Sequence, residues 1–388
     1  MDNKKKLGTL LNHSDYKPLE GFEAFPTPIH HASTVLFKNV AAMRTSTWQD
    51  KSAYTYGLHG TPTTFTLEAR VAEIENGKHC ILAPSGLAAI TIVNFGLLRT
   101  GDDMLIPDNV YGPNRDMGNW IARDFGITVR FYDPMIGAGI GDLIQANTKL
   151  VWAETPGSLT MEVPDILAIC KAAHEKGAIV VLDNTWGAGI YFNSFEHGAD
   201  ISLQALTKYQ SGGSDVLMGA LITNNDDLYY RLSTAHGRLG MGVGPDDVYL
   251  VLRGMQSLKT RMEAHDVAAR KIAAWLKARP EISKVLHPAF SDCPGHDVWK
   301  RDFTGASGLF SVLFDPRYTE AQTDRFVDSL RYFKIGYSWG GSHSLCVPYR
   351  IKTMHQFWKG EGELVRFHIG LEDTQDLIAD LEQALTKL

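Results

Sequence analysis

The sequence predicts an α/β protein: a large domain on a mainly parallel sheet, then a smaller C-terminal α+β domain. Three observations predict it. Between about residue 80 and residue 204, short apolar runs alternate with helical stretches long enough for right-handed crossovers. Small polar turns follow several of those runs: Pro84-Ser85-Gly86, Asn109-Val110-Tyr111, Thr155-Pro156-Gly157 and Asp183-Asn184-Thr185. Beyond residue 278 the order changes to separate strand-like and helix-like runs.

The 388 residues suffice for roughly two or three domains at about 100–200 residues each. The division read from the pattern is an N-terminal arm at 1–60, a large domain at 61–250 and a C-terminal domain at 251–388. The arm is rich in Pro, His and Thr and has little periodicity, so it is expected to pack on another domain or subunit. A helical pattern covers 69–79. Strands are expected at 80–83, 103–106, 128–132, 149–154, 178–182 and 201–203, with an amphipathic helix at 165–175. A long helical stretch covers 246–278. In the C-terminal part, strands are expected at 283–286, 308–314 and 364–369, and helices at 319–330 and 374–387.

With 44% hydrophobic and 21% charged residues, the chain has an ordinary globular composition. A net charge of −6 argues against a general nucleic-acid surface, and Lys4-Lys5-Lys6 is too short to carry one. The longest apolar stretch, 86–98, contains Asn94 and falls short of the roughly 18 residues that suggest a membrane span. The first residues lack a secretory apolar core. Cys80, Cys170, Cys293 and Cys346 form neither a disulfide framework nor a metal-ligand spacing, so no metal is expected and a reduced, cytoplasmic setting is.

The chemistry concentrates between Val181 and Asp215. Asp183 closes an apolar run, and Lys208 follows in Thr207-Lys208-Tyr209 just before Gly212-Gly213. In isolation Asp183 is a helix N-cap and Lys208 a solvated cation. In that order they suit pyridoxal phosphate. The lysine amine forms a Schiff base with its aldehyde, and the acid keeps the pyridine nitrogen protonated, so that the ring can absorb the charge of a Cα carbanion. The other parts follow. Ser85, Gly86 and Leu87 open a helix whose free N–H groups favour a phosphate, with Ser85 equally placed as an N-cap. Thr207 can offer its hydroxyl to the same phosphate. Tyr111 can stack on a pyridine ring or move a proton, or be a half-buried turn residue. In Leu364 to Ile369, alternation puts Arg366 and His368 on one face. The Arg366 fork suits an α-carboxylate, and a solvated strand arginine is the alternative.

Asp183-Asn184-Thr185-Trp186, Thr207-Lys208-Tyr209, Tyr337-Ser338-Trp339-Gly340-Gly341 and Arg366-Phe367-His368-Ile369-Gly370-Leu371-Glu372-Asp373 together resemble the Cys/Met-metabolism branch of fold-type-I pyridoxal-phosphate enzymes. Within it the chain is most similar to the bacterial cystathionine β-lyases, over nearly its whole length. The resemblance implies pyridoxal 5'-phosphate as cofactor, with Lys208 and Tyr111 catalytic. Ser85, Gly86, Leu87, Tyr111, Asp183, Thr207 and Lys208 would hold the cofactor, with Tyr56 reaching the phosphate of a neighbouring subunit. Arg366, Ser338 and Trp339 would bind an amino-acid substrate. It further implies a homotetramer, built as a dimer of active dimers, and α,β-elimination of cystathionine in methionine biosynthesis. Alternatives on the same scaffold are γ-elimination or γ-replacement, desulfhydration of cysteine or cystine, and a cofactor-binding regulatory role. One position departs from the family. Leu58 stands where relatives carry an arginine for the neighbour's phosphate, a charge-assisted bond worth about 1.5–3 kcal/mol. Either the cofactor is held less tightly or His59 partly substitutes.

Overall fold

The computed structural model describes residues 5–13, 18, 20–49 and 51–388, so parts of the expected arm, Lys4 among them, lie outside the described residues. Seven strands form the large sheet: β1 (His79–Ala83), β2 (Asp103–Pro107), β3 (Thr128–Tyr132), β4 (Thr148–Glu154), β5 (Ile179–Asp183), β6 (Ile201–Gln204) and β7 (Gly219–Thr223). Their order is β1-β7-β6-β5-β4-β2-β3. The run from β3 to β6 is parallel, and β7 alone is inverted, pairing antiparallel with both β6 and β1. A separate sheet of four antiparallel strands has the order β10-β11-β9-β8, from β8 (Ile282–Leu286), β9 (Leu309–Phe314), β10 (Leu345–Tyr349) and β11 (Leu364–His368). This is the fold-type-I arrangement the sequence predicts.

The strands read as continuous apolar runs because both faces of the large sheet are covered. Val181 packs into one layer while Val180 and Leu182 pack into the other. Trp152 alternates with Val151 in the same way. Trp152 is fully buried, yet its indole N–H donates to Asn94 Oδ1 at 3.1 Å, so no donor is stranded. Parallel strands put their carboxyl ends on one edge, and that edge collects the polar turns.

Several expected boundaries moved. The helix expected at 69–79 runs over Pro62–Ile74. Thr61 caps it, with a reciprocal Thr61/Thr64 capping box and Pro62 in the first turn, a start signal stronger than the apolar spacing that follows. The single stretch expected at 246–278 is two helices, Pro245–Met255 and Leu258–Lys277. The break is gripped by Arg261, which donates to Tyr209 O at 2.6 Å and to Gly254 O at 2.7 Å. β7 and β10 carry no clear alternation and were not anticipated. The arm packs partly on its own chain: Leu11 joins the core, and the His30 amide donates to Thr63 Oγ1 at 2.8 Å.

Candidate active site

Five segments reach the carboxyl edge of the large sheet and line one cavity. β1 leads into Ser85, which caps the helix Gly86–Leu97 by accepting from the Ala88 amide at 3.0 Å. Both readings of Ser85 therefore meet: it is the N-cap and it faces the cavity. The first helical amides, of Gly86 and Leu87, find no acceptor among the described residues and lie at the positive end of the helix dipole. The backbone is closely packed at Gly86, where a Cβ would come within 3.1 Å of Ala205 Cβ.

Asp183 sits at the end of β5. Its Oδ1 accepts from the Thr185 amide at 3.0 Å and the Thr185 hydroxyl at 2.6 Å, which leaves Oδ2 for a ligand. Burial raises its pKa, while the Thr185 bonds and the Lys208 charge pull the other way. Thr185 also accepts from the Ala205 amide at 2.9 Å, tying the Asp183 turn to the Lys208 turn. Sequence reasoning missed this role.

Lys208 Nζ donates to Ser338 Oγ at 2.8 Å and lies 5.4 Å from the centroid of the Trp339 ring. Burial and the nearby Arg366 charge lower its pKa to about 8, against the opposing pull of Asp183. The lowered value raises the neutral fraction of the amine near neutral pH, the form that accepts a proton. Arg366 is 7% exposed, so the solvated-arginine alternative is wrong. Its guanidinium lies 5.1 Å over the Tyr349 ring, and no hydrogen bond to it is found among the described residues. A buried cation without an anion is a ready carboxylate site.

Tyr111 lines the same cavity, and its amide donates to Glu154 Oε2 at 2.7 Å. Burial, and then the Asp183 charge, raise its pKa, so its hydroxyl keeps its proton. Thr207 lines the cavity too, but its hydroxyl donates to Met218 O at 3.2 Å and accepts from the Met218 amide at 2.9 Å; in this arrangement it braces the lysine turn instead of reaching outward. Tyr56 is half-exposed and does not line its own chain's cavity. His59 is stacked on Trp48 at 4.3 Å, and burial lowers its pKa, so it offers no cation near neutral pH in place of the missing arginine. Glu154, which also lines the cavity, was missed, although it ends β4 just as Asp183 ends β5.

The groups present fit pyridoxal phosphate: an aspartate oxygen and helix-start amides that have no partner among the described residues, and a desolvated lysine, within one cavity. A model of the Cys/Met metabolism PLP-dependent enzymes matches residues 8–386. The chain belongs to that family. Pyridoxal phosphate is its cofactor. The chain is 44% identical over 382 residues to a Rhizobium johnstonii protein that carries the provisional name cystathionine beta-lyase, covering 97% of this chain and 95% of that protein. It is 36% identical over 394 residues to cystathionine beta-lyase MetC of Escherichia coli K12, covering 99% of each. Among solved structures, cystathionine gamma synthase of Xanthomonas oryzae superposes with a TM-score of 0.89 at 28% identity, covering 99% of this chain and 98% of that one. No helix among the described residues is long and apolar enough to cross a membrane, and no cluster of metal-ligating side chains occurs among them.

Proposed function

We propose that the chain is a cystathionine β-lyase, converting L-cystathionine and water to homocysteine, pyruvate and ammonia in methionine biosynthesis. When bound, pyridoxal phosphate supplies the aldehyde that captures the substrate amine and the electron sink for the Cα carbanion. Asp183 would pair with the ring nitrogen through its second oxygen and keep it protonated. The amides of Gly86 and Leu87, with Ser85, would hold the phosphate, and Thr207 steadies the lysine turn from behind. Tyr111, in the same cavity, would offer its ring to the cofactor. Arg366 takes the substrate carboxylate as a bidentate partner. Lys208 removes the Cα proton and returns a proton to the departing sulfur, with the protonated Tyr111 hydroxyl as second donor.

The observation that carries this reading is the boxed amine of Lys208, held by Ser338 at 2.8 Å and covered by the Trp339 ring. Elimination at Cβ needs one proton removed, from Cα. Elimination at Cγ needs a second one, from Cβ. One amine of lowered pKa beside Ser338 meets the β demand directly, and the products distinguish the two reactions. The second reading, γ-elimination or γ-replacement, is favoured by the structural likeness to a γ-synthase. Turnover of cystathionine, cystine and cysteine side by side decides. Pyruvate and homocysteine from cystathionine support the β reading; 2-oxobutyrate overturns it, and a coloured protein without turnover points to a regulatory role. Lys208→Ala should abolish pyruvate formation.

The proposed assembly is a homotetramer in the cytoplasm, a dimer of active dimers. Its support is an arm, 1–60, that leaves Phe25 and Leu36 almost fully exposed, at 99% and 90%. Such apolar surface suits a neighbouring subunit, whose cavity Tyr56 would complete. Residues 61–250 and 251–388 are the proposed cofactor-binding and C-terminal domains.

A further inference from the structure

We propose that His368 is a positioning residue that holds the Tyr337 to Gly341 loop and thereby sets the Ser338 hydroxyl on Lys208. The inference rests on the lyase reading for its kinetic arm only.

His368 ends β11, two residues beyond Arg366, and is 1% exposed. One strand thus presents a cation to the substrate side and an imidazole to the loop. His368 Nε2 lies 3.0 Å from Gly341 O, and the Gly340 amide lies 3.2 Å from Nε2 and 3.5 Å from Nδ1. One nitrogen cannot donate and accept at once, so the ring serves one backbone group with its N–H and the other with its lone pair. A second proton would set an N–H against the Gly340 N–H. The charged groups near the ring oppose that proton as well: His265 at 5.3 Å, Arg366 and Lys208, against the opposing pull of the Gly341 carbonyl. Burial and these neighbours lower the His368 pKa to about 3, so the clamp is neutral throughout the working range.

The loop needs a clamp. Ser338 has φ +92°, in a region that residues with a Cβ rarely occupy, and such a conformation persists only where its surroundings impose it. Gly340 touches the lysine turn so closely that a Cβ would stand 2.7 Å from Lys208 C. Between these two points, the loop has His368 as its side-chain anchor from the C-terminal sheet. Loss of the imidazole would let Ser338 relax and release the amine, a displacement small in distance but costly in rate.

The test uses the holoenzyme of wild type, His368→Ala, His368→Asn, Ser338→Ala and the double variant His368→Ala with Ser338→Ala. Two quantities are read: the midpoint of the pH titration of the bound cofactor's visible absorption, and kcat and KM for cystathionine. In His368→Ala the spectral midpoint should move in the same direction as in Ser338→Ala, and kcat should fall on the order of 10- to 100-fold with KM nearly unchanged. The double variant should be no worse than the worse single one, because both act through the same contact. His368→Asn, which can still donate and accept, should recover part of both. A wild-type midpoint in His368→Ala and His368→Asn, or additive losses in the double variant, would overturn the proposal. The spectral arm needs no substrate, so a wrong substrate assignment would void the kinetic values and leave the spectral result standing.

Discussion

Glu154 and Asp183 stand opposite each other in register at the carboxyl ends of β4 and β5, two acids side by side in one cavity. They divide the work. Asp183 is steadied by the Thr185 donors, and burial together with the Asp183 charge drives the pKa of Glu154 well above its ordinary value. Two adjacent carboxyl groups whose environments differ in this way tend to hold one anion and one neutral acid. Glu154→Gln keeps a neutral acceptor for the Tyr111 amide and should leave kcat/KM within about threefold of wild type. Glu154→Ala strands that amide and should cost about 1–3 kcal/mol of stability by urea unfolding. The raised pKa means that Glu154 stabilises fully below about pH 4.5 and loses that contribution as pH rises through its folded value. Glu154→Gln should therefore gain on wild type at alkaline pH; a pH-independent gap would contradict the neutral-acid assignment.

Arg366 combines near-complete burial with a guanidinium that has no hydrogen-bond partner among the described residues. Arg366→Lys preserves charge and loses the second parallel bond. The expected loss is about 1.5–3 kcal/mol, roughly 10- to 150-fold in kcat/KM, carried mainly by KM. Steady-state kinetics with cystathionine measures it, and an unchanged KM would remove Arg366 from the carboxylate site.

Glu75 lies under the active-site strands, 2% exposed, receiving hydrogen bonds from Asn184 Nδ2, Ser202 Oγ and Gln204 Nε2. Burial raises its pKa to about 7 despite these donors. The sign follows from the direction. Its stabilisation is full below about 4.5 and is lost as pH rises through about 7. Glu75→Gln, neutral at every pH, should gain on wild type by up to about 3 kcal/mol between pH 5 and 8.5. Denaturant unfolding at those two pH values checks this, and a constant difference would show that Glu75 is not titrating there.

Leu58 is held by packing, since a Cβ on Gly242 would sit 2.9 Å from Leu58 Cδ1. With His59 neutral, this position supplies no phosphate cation. Leu58→Arg should slow loss of cofactor during dialysis, an effect worth about 1.5–3 kcal/mol if the new fork reaches a neighbour's phosphate. Retention equal to wild type would mean that this position does not reach the phosphate.

Much of this was legible in the residues themselves. Alternation of apolar runs and helical patterns marks β2 to β6, and the polar turns after them mark the edge where Asp183, Tyr111 and Lys208 gather. Glu154 was legible by the same rule, an acid ending a strand, and was overlooked. Glu75 was not, because an acid at a helix C-terminus has no local mark that distinguishes a buried one from a solvated one. β7 was lost because it completes the sheet between β1 and β6 without a period of its own.

The sequence by itself determined the α/β class, the family and the identity of the chemical groups, because apolar period, turn residues and motif order are local properties of the chain. Tertiary structure decided which of those groups are buried, paired or free. Ser338 meets Lys208 across a separation of 130 residues, and Asp108 accepts from the Phe357 amide across 249. Burial at such contacts lowers the pKa of Lys208, leaves Arg366 without an anionic partner among the described residues and turns Thr207 inward, and desolvation depends on what the rest of the fold places around a group.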